Sequence, residues 1–406
     1  MRAPHSYLSF LLLALLLAAP LTAQKLRDKK KPLNDAVQCY YCKGDAKLME
    51  AAGIVSHGGF EFGKTDTMRA DQLMVSDDIR WMETEHFRIG FALGTAKVED
   101  RDKIRAECAR LTEVLEDVPS KPRNMDPWLR LHLYGQRLED QYKVMQTFLG
   151  VTDADFPAEP GATWNGKGIF WGTGPMLGMP RKFEVLILPS EGSLTRYLRE
   201  SYGLTTKKTQ RWHIVESGTL QVTIHEQQAS LKKDAALHGH VIFTTTQMML
   251  NAFKHYSYDL PIWLMEGMGH LMERRLSPEY NTFSSSEGGS AQKTRKQDWE
   301  PPCYKLASKG DMPSFSSMVR MRDFADLDLP KHYGTWSVVD FMEREHPGFL
   351  RKLLHAIKGM TDGGNITNGS KLSDVQRNLF KSQLKLTYAQ LDRAWVAWVG
   401  ETYRAK

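Results

Sequence analysis

Glu266 and His270 are the side chains whose types and spacing most directly suggest metal chemistry in this chain. They lie in the segment LPIWLMEGMGHLMERR (260–275), whose apolar residues recur with the period of an amphipathic helix. Residues four apart share one face of a helix, and carboxylate oxygens and imidazole nitrogens both bind zinc. A complete metal site would need further ligands from another part of the chain.

Two histidines upstream, His238 and His240, are the first candidates for the additional ligands. In an extended segment both imidazoles would lie on one face, but on a helix they diverge by roughly 200°, given 3.6 residues per turn. A relocated metal site that combines either of them with Glu266 and His270 is one hypothesis. Alternatively, the upstream histidines cap or hydrogen-bond at a helix start, and His270 pairs with Glu266 or Glu273.

The elements that must position these side chains change character near residue 230. Before this point the sequence predicts strands and helices in alternation, and after it mainly helices, which together indicate an α+β fold. Strands are expected at 81–93, 182–189 and 219–226, and helices at 102–118, 127–150, 193–203, 235–256, 261–276, 332–346, 349–359 and 387–403. The polar stretch 277–312 is expected to be a long exposed loop.

Four segments resemble the gluzincin zinc peptidases, in particular secreted peptidase-MA-like proteins. They are ETEHFRI (83–89), LPIWLMEGMGHLMER (260–274), YGTWSVVDFME (333–343) and LDRAWVAWV (391–399). They are similar to that family's opening strand, its Pro-x-Trp-Leu-x-Glu-Gly helix, the supporting helix that follows and the closing helix. The resemblance implies a gluzincin-like metallopeptidase architecture over residues 81–400, with an N-terminal strand-containing half, a mainly helical half, and Glu266 at the third-ligand position.

The same resemblance implies that a zinc-binding HExxH motif should fall near residues 242–247, where the sequence is IFTTTQ. One register puts the histidine positions at Ile242 and Thr246, and the other puts them at Phe243 and Gln247. Neither register contains a histidine pair or a general base, both of which the motif needs to bind zinc and activate water. The resemblance therefore supports the fold and argues against the usual reaction.

A buried Glu266 without a metal would be unfavourable unless it were neutralised or well hydrogen-bonded. We therefore expect a buried Glu266 to have either a raised pKa or a protein donor beside it. The candidate donors are the threonine hydroxyls of 244–246, Gln247, Tyr333 and His270. If Glu266 pointed into bulk solvent, it would not occupy the position of a former ligand.

Four cysteines, Cys39, Cys42, Cys108 and Cys303, allow three disulfide pairings in an oxidising compartment. The CYYC pair is compatible with a redox pair, half of a zinc knuckle or a small structural loop. A zinc knuckle needs a second ligand pair nearby, and the other two cysteines stand alone in the sequence. We expect a local bridge between Cys39 and Cys42, with a second bridge between Cys108 and Cys303 left open.

Residues 1–23 have the positive start, short apolar run and small residue before a cleavage point that are typical of a secretory signal peptide. The expected divisions after it are a linker and loop-rich CxxC segment (24–80), an α/β half (81–230) and a helical half (231–406). We expect a secreted or periplasmic protein without a stable membrane span after cleavage. The net charge of +6 is dispersed, which argues against a nucleic-acid partner.

The sequence thus predicts an exported, catalytically inactive metallopeptidase-like protein that binds a peptide, glycan or envelope protein beside Glu266. No cofactor is expected, and zinc is expected only if the ligands are relocated. The alternatives are an active zinc-dependent hydrolase with relocated ligands and a structural cell-envelope protein. A cleft lined by exposed aromatic residues would favour binding, whereas one filled by Phe243, Met248 and Met249 would favour the structural role.

Overall fold

The central sheet forms where the sequence concentrates β-branched and aromatic residues. The structure is a computed structural model that describes residues 39–228, 231–279, 281–283, 298–362 and 366–403. The strands are β1 (Glu61–Phe62), β2 (Thr65–Asp66), β3 (Arg80–Glu83), β4 (Phe87–Phe91), β5 (Ala96–Lys97), β6 (Asn124–Met125), β7 (Phe183–Leu188), β8 (Gln210–Ile214) and β9 (Thr219–His225). β7 is buried along its whole length and lies at the centre of the sheet, whose order is β3-β4-β7-β9-β8.

The interior strands β4, β7 and β9 are parallel, whereas β3 and β8 are antiparallel to their neighbours. The two antiparallel strands are the edges of the sheet, so their outer backbone groups are the ones that further chain segments can pair with. At the β3 edge, Ser56 forms an isolated antiparallel bridge with Glu83. Further chain segments can therefore pair with the sheet at two separate places, the β3 edge and the β8 edge.

Helices cover most of the rest of the described chain. They are α1 (Ala46–Ala51), α2 (Thr67–Leu73), α3 (Arg101–Thr112), α4 (Pro127–Leu149), α5 (Glu191–Tyr202), α6 (Asp234–Ala252), α7 (Ile262–Leu276), α8 (Glu300–Lys309), α9 (Phe315–Met318), α10 (Leu329–Glu345), α11 (Phe349–Ile357), α12 (Leu372–Leu379) and α13 (Tyr388–Thr402). The long helix α4 begins after the capping carboxylate of Asp126 and ends at Gly150 in the left-handed conformation. The α+β fold class predicted from the sequence is confirmed.

The segment 81–93 contains two strands, so the prediction of one strand there is wrong. A tight turn separates β3 from β4, and the Thr84 hydroxyl accepts a hydrogen bond from the Phe87 N–H across it at 3.2 Å. Glu139 stabilises the same turn because its Oε1 accepts hydrogen bonds from the Thr84 hydroxyl at 2.6 Å and the His86 N–H at 2.9 Å. These contacts come from distant parts of the chain, which is why local alternation did not reveal the turn.

The stretch 277–312 is not entirely an exposed loop, because α8 lies within it. Pro301 stands in the first turn of α8 and Gly310 ends it in the left-handed conformation, while Trp299 and Cys303 are fully buried. The edge strand β8 was also not predicted, since its sequence QRWHI is mostly polar. Residues 284–297 lie outside the described part of the chain.

The predicted signal peptide lies wholly within residues 1–38, which are also outside the described residues. Within the described ranges, none of the helices combines the length and the apolar character that a membrane span requires.

Candidate functional site

Two glycines let α7 approach its neighbours closely. A Cβ on Gly267 would lie 2.4 Å from the Thr335 carbonyl oxygen of α10, and a Cβ on Gly269 would lie 2.8 Å from the Phe243 ring of α6. Such distances are shorter than van der Waals contact, so larger residues would force the helices apart. The Glu-Gly-Met-Gly-His sequence therefore places Glu266 between α6 and α10.

Glu266 is fully buried, and its carboxylate has a protein donor. The Gln247 side-chain amide of α6 donates to Glu266 Oε2 at 2.9 Å. Gln247 was among the donors expected from the sequence, so that prediction is confirmed. The contact also links α6 to α7 at the place where the resemblance implies a former zinc ligand.

His270 lies between two carboxylates of its own helix. Its Nε2 is 3.5 Å from Glu266 Oε1, and its Nδ1 is 3.5 Å from Glu273 Oε2. Burial alone would lower the pKa of His270, but the two adjacent carboxylates outweigh burial and raise it. The raised pKa favours the protonated form of the imidazole, which compensates the buried negative charge.

His332 of α10 completes the cluster and was missed in the sequence. Its Nδ1 is 3.2 Å from His270 Nε2 and 3.5 Å from Glu266 Oε1. One atom from each of these three residues lies within 4.8 Å of the others. Burial lowers the pKa of His332 to about 3, which keeps its imidazole neutral. The sequence placed His332 at the start of a predicted helix, but it did not reveal the contact with His270 on α7.

The α6 side chains that face α7 are Phe243 and Gln247, four residues apart. The Phe243 ring centroid is 4.9 Å from that of His270, and Gln247 contacts Glu266 as described. Thr246 points elsewhere, because its hydroxyl accepts a hydrogen bond from Gln141 of α4 at 2.8 Å. Of the two registers considered, the one with Phe243 and Gln247 therefore matches the geometry of the helix pair.

The structure does not bring His238 or His240 into the cluster around Glu266. His238 is buried with its ring 6.3 Å from that of Tyr134 on α4, and burial lowers its pKa well below the usual value. His240 Nε2 lies 2.9 Å from the Thr209 hydroxyl just before β8. The two imidazoles diverge as expected for positions two apart on a helix.

A cavity of about 200 Å³ adjoins the cluster between the start of β8 and α6; we call it the α6–β8 cavity. Phe243, Thr244 and Gln247 of α6 line it, together with Arg211 of β8 and the half-buried Phe324. Phe243 is itself 1% exposed and separates the cavity from His270. The cavity thus reaches Gln247 and His240, and Phe243 lies between it and His270.

The methionines named as possible fillers do not line the α6–β8 cavity. Met248 and Met249 are fully buried in the main hydrophobic core. Phe243 lies only at the inner end, so the cavity is not filled as the structural role would require. Its walls are also not mainly exposed aromatic residues, which the binding role would favour.

All four cysteines are buried free thiols, and Cys39 and Cys42 do not form the expected disulfide. Cys39 Sγ lies 3.2 Å from His132 Nε2, and Cys42 Sγ lies 3.2 Å from His57 Nε2. The expectation of a bridge failed because the partners of these thiols are histidines far away in sequence.

Cys108 and Cys303 are also unbridged, and they lie on different helices, α3 and α8. Cys303 Sγ donates to the Tyr333 carbonyl at 3.7 Å, and burial raises the pKa of the Cys108 thiol to about 11. Both behave as small buried core residues.

No protein-family model matches the chain, and no significant match to a curated protein was found.

Proposed function

We propose that this protein is a non-catalytic, gluzincin-like peptidase relative that binds an extended peptide in the α6–β8 cavity. The observation that carries the proposal is the pair of side chains facing α7 from α6: Phe243 and Gln247 stand where a zinc peptidase of this type would need histidines. Thr244, next to Phe243, stands where its general base would be. The gluzincin-like architecture is part of this proposal.

The cluster of Glu266, His270 and His332 does not fit a catalytic metal. A catalytic zinc keeps an open position for water or substrate, yet all three side chains are 0% exposed. Phe243 separates them from the adjoining cavity, and His270 is already engaged by two carboxylates. The cluster is better explained as a charge-compensated core that holds α6, α7 and α10 together.

A peptide is the favoured ligand because the α6–β8 cavity begins at an edge strand. β8 pairs with β9 on one side, and within the described residues no strand pairs with its other side. An extended peptide can add to such an edge through backbone hydrogen bonds while a pocket receives alternate side chains. A glycan lacks the regular alternation of N–H and C=O groups that extends a sheet, so the edge favours a peptide.

Arg211 supplies a specific contact for this ligand. It lines the α6–β8 cavity, and its Nη1 atom is buried without a hydrogen-bond partner among the described residues. A buried donor of this kind is unfavourable unless a ligand satisfies it. A backbone carbonyl or a carboxylate of the peptide would do so.

The test is selection from a pool of random synthetic peptides blocked at both ends, with bound peptides identified by mass spectrometry. We expect enrichment of a subset, and Arg211→Met should weaken its binding by roughly ten- to a hundredfold, since a hydrogen bond to a charged group contributes about 1.5–3 kcal/mol. Arg105→Met, which removes an exposed arginine of α3, is the control and should bind normally. Absence of enrichment, or equal binding by both variants, would contradict the proposal.

A metal-dependent hydrolase remains the second candidate, favoured by the convergence of Glu266, His270 and His332 within 4.8 Å. It requires a metal that is lost when His332 is changed to Gln, together with peptide hydrolysis that is lost at the same time. On our proposal, His332→Gln leaves both the metal content and the peptide pool unchanged.

A further inference from the structure

We propose that Cys39, Cys42, His57 and His132 bind a structural zinc ion at the β3 edge of the sheet. All four side chains are buried, with the two cysteines fully inaccessible. One ligand atom from each lies within 4.8 Å of the other three. This inference is independent of the proposed function, because the α6–β8 cavity lies at the opposite edge of the sheet.

The distances suit a tetrahedral site. With Zn–S near 2.3 Å and Zn–N near 2.0–2.1 Å, sulphur and nitrogen ligands of a tetrahedron lie about 3.6 Å apart. The Cys39–His132 and Cys42–His57 distances are both 3.2 Å, so each would lengthen by about 0.4 Å when zinc binds. Four protein ligands complete the coordination shell, which is typical of a structural rather than a catalytic zinc.

The turn that carries the two cysteines is built to present both sulphurs on one side. The Lys43 N–H donates to the Cys39 carbonyl at 2.7 Å, and the Asp45 N–H donates to the Cys42 carbonyl at 2.9 Å. Lys43 and Gly44 have positive φ angles of 54° and 69°, so the chain reverses directly after the second cysteine.

His57 is held in the tautomer that a metal needs. Its Nδ1 lies 2.8 Å from the Trp81 carbonyl of β3, and because a carbonyl only accepts, this nitrogen carries the proton. Nε2 is then left with its lone pair directed at the cysteine cluster. A backbone carbonyl behind a metal-binding histidine is the usual second partner that fixes its orientation.

Charge also favours zinc at this buried position. On binding, each thiol releases its proton to solvent, and both histidines coordinate as neutral imidazoles. One Zn²⁺ with two thiolates and two neutral imidazoles has no net charge, so the filled site is compatible with burial. The ion would join the turn at 39–44, the segment that contains His57 and bridges to β3, and α4, which carries His132.

The test begins with metal analysis of the purified full chain. We expect on the order of one zinc per chain, as for structural Cys₂His₂ sites, and loss of it in the double variant Cys39→Ser with Cys42→Ser. Cys108→Ser is the matched control, because it removes another buried cysteine outside the cluster, and it should retain the metal. His332→Gln should also retain it, which separates this site from the Glu266 cluster.

Cobalt substitution of the wild-type chain keeps the proposal testable even if the double variant does not fold. We expect tetrahedral visible bands together with thiolate-to-cobalt charge-transfer absorption, which nitrogen and oxygen ligands alone do not produce. His57→Cys should retain cobalt and strengthen the charge-transfer absorption, because it adds a third thiolate. Cobalt bands without thiolate absorption would overturn the assignment.

Peptide mapping by mass spectrometry supplies the remaining outcome. If the freshly purified chain contains a Cys39–Cys42 disulfide and takes up no zinc after reduction, the site is not a metal site. If the two thiols are protected from alkylation until a chelator is added, the proposal is supported.

Discussion

A small number of contacts stabilise the buried carboxylate of Glu266 in the protein interior. It is fully buried, and its carboxylate depends on the amide of Gln247 and on the imidazole of His270, whose pKa is raised by the carboxylates beside it. The arrangement compensates the buried carboxylate through protein groups alone. It also predicts that the donor and the carboxylate are energetically coupled.

Replacing Gln247 with Leu should lower the free energy of unfolding by about 1–3 kcal/mol, because it leaves a buried carboxylate without its donor. Gln141→Leu is the matched control. It removes another buried glutamine, whose amide donates to the neutral Thr246 hydroxyl at 2.8 Å, and should cost only about 0.5–1.5 kcal/mol. Urea denaturation measures both. Equal losses of unfolding free energy in the two variants would show that the hydrogen bond to Glu266 contributes no more than the one to Thr246.

At the scale of elements, the packing of α6 against α7 and α10 determines which side chains can meet. Gly267 and Gly269 permit the close approach, and Phe243 and Gln247 are the α6 residues that face α7. The helical period predicted both helices and the four-residue spacing on each. Only the three-dimensional packing selects between the two registers considered for α6.

Restoring a zinc motif tests that register directly. The triple variant Phe243→His, Thr244→Glu and Gln247→His should bind one more zinc per chain than the wild type, because it completes three ligands with Glu266. The matched control shifts the same three substitutions back by one residue, to 242, 243 and 246, and should gain none. Metal analysis after dialysis distinguishes them. Gain by the shifted variant alone would place the helix in the other register.

The sequence predicted the helices whose period is strong, such as α4 and α7, and the strand β7, which forms a compact apolar run. It failed where structure depends on distant contacts: the turn stabilised by Glu139, the polar edge strand β8 and the buried start of α8. Glu266 and its donor could be anticipated because a buried carboxylate needs one. His332 could not, because its contact with His270 spans 62 residues of sequence.

The sequence also did not predict that Cys39 and Cys42 lie beside histidines, and the reason is the same. Cys42 and His57 are 15 residues apart, but Cys39 and His132 are separated by 93. No second cysteine pair lies nearby in the sequence, and the histidines beside Cys39 and Cys42 come instead from α4 and from the segment beside β3. The cysteines and the histidines come together only in the folded chain, at the β3 edge of the sheet.

For the whole molecule, buried histidines should make stability depend on pH. Burial lowers the pKa of His255 to about 3, and that of His238 is also well below its usual value. The unfolded chain takes up protons below about pH 6.5, where these folded histidines remain neutral, so stability is lost as the pH falls. Glu184 acts in the opposite direction, because burial raises its pKa to about 8.

His255→Gln should reduce the pH dependence between pH 6.5 and 4 by up to about 1.4 kcal/mol per pH unit, the contribution of one titrating group. Urea denaturation across this range gives the slopes. Above pH 7, where His255 is neutral in both states, the two stability curves should run parallel and serve as an internal control. An unchanged slope at low pH would show that His255 is protonated in the folded chain.

The fate of a bound peptide tests the central claim most directly. A peptide enriched from the blocked pool is incubated with an equimolar amount of the protein and followed by mass spectrometry over many hours. We predict that it remains bound and intact, because Phe243, Thr244 and Gln247 provide neither zinc ligands nor a general base. Cleavage that disappears in the His270→Ala variant would contradict this account and identify the protein as an active hydrolase.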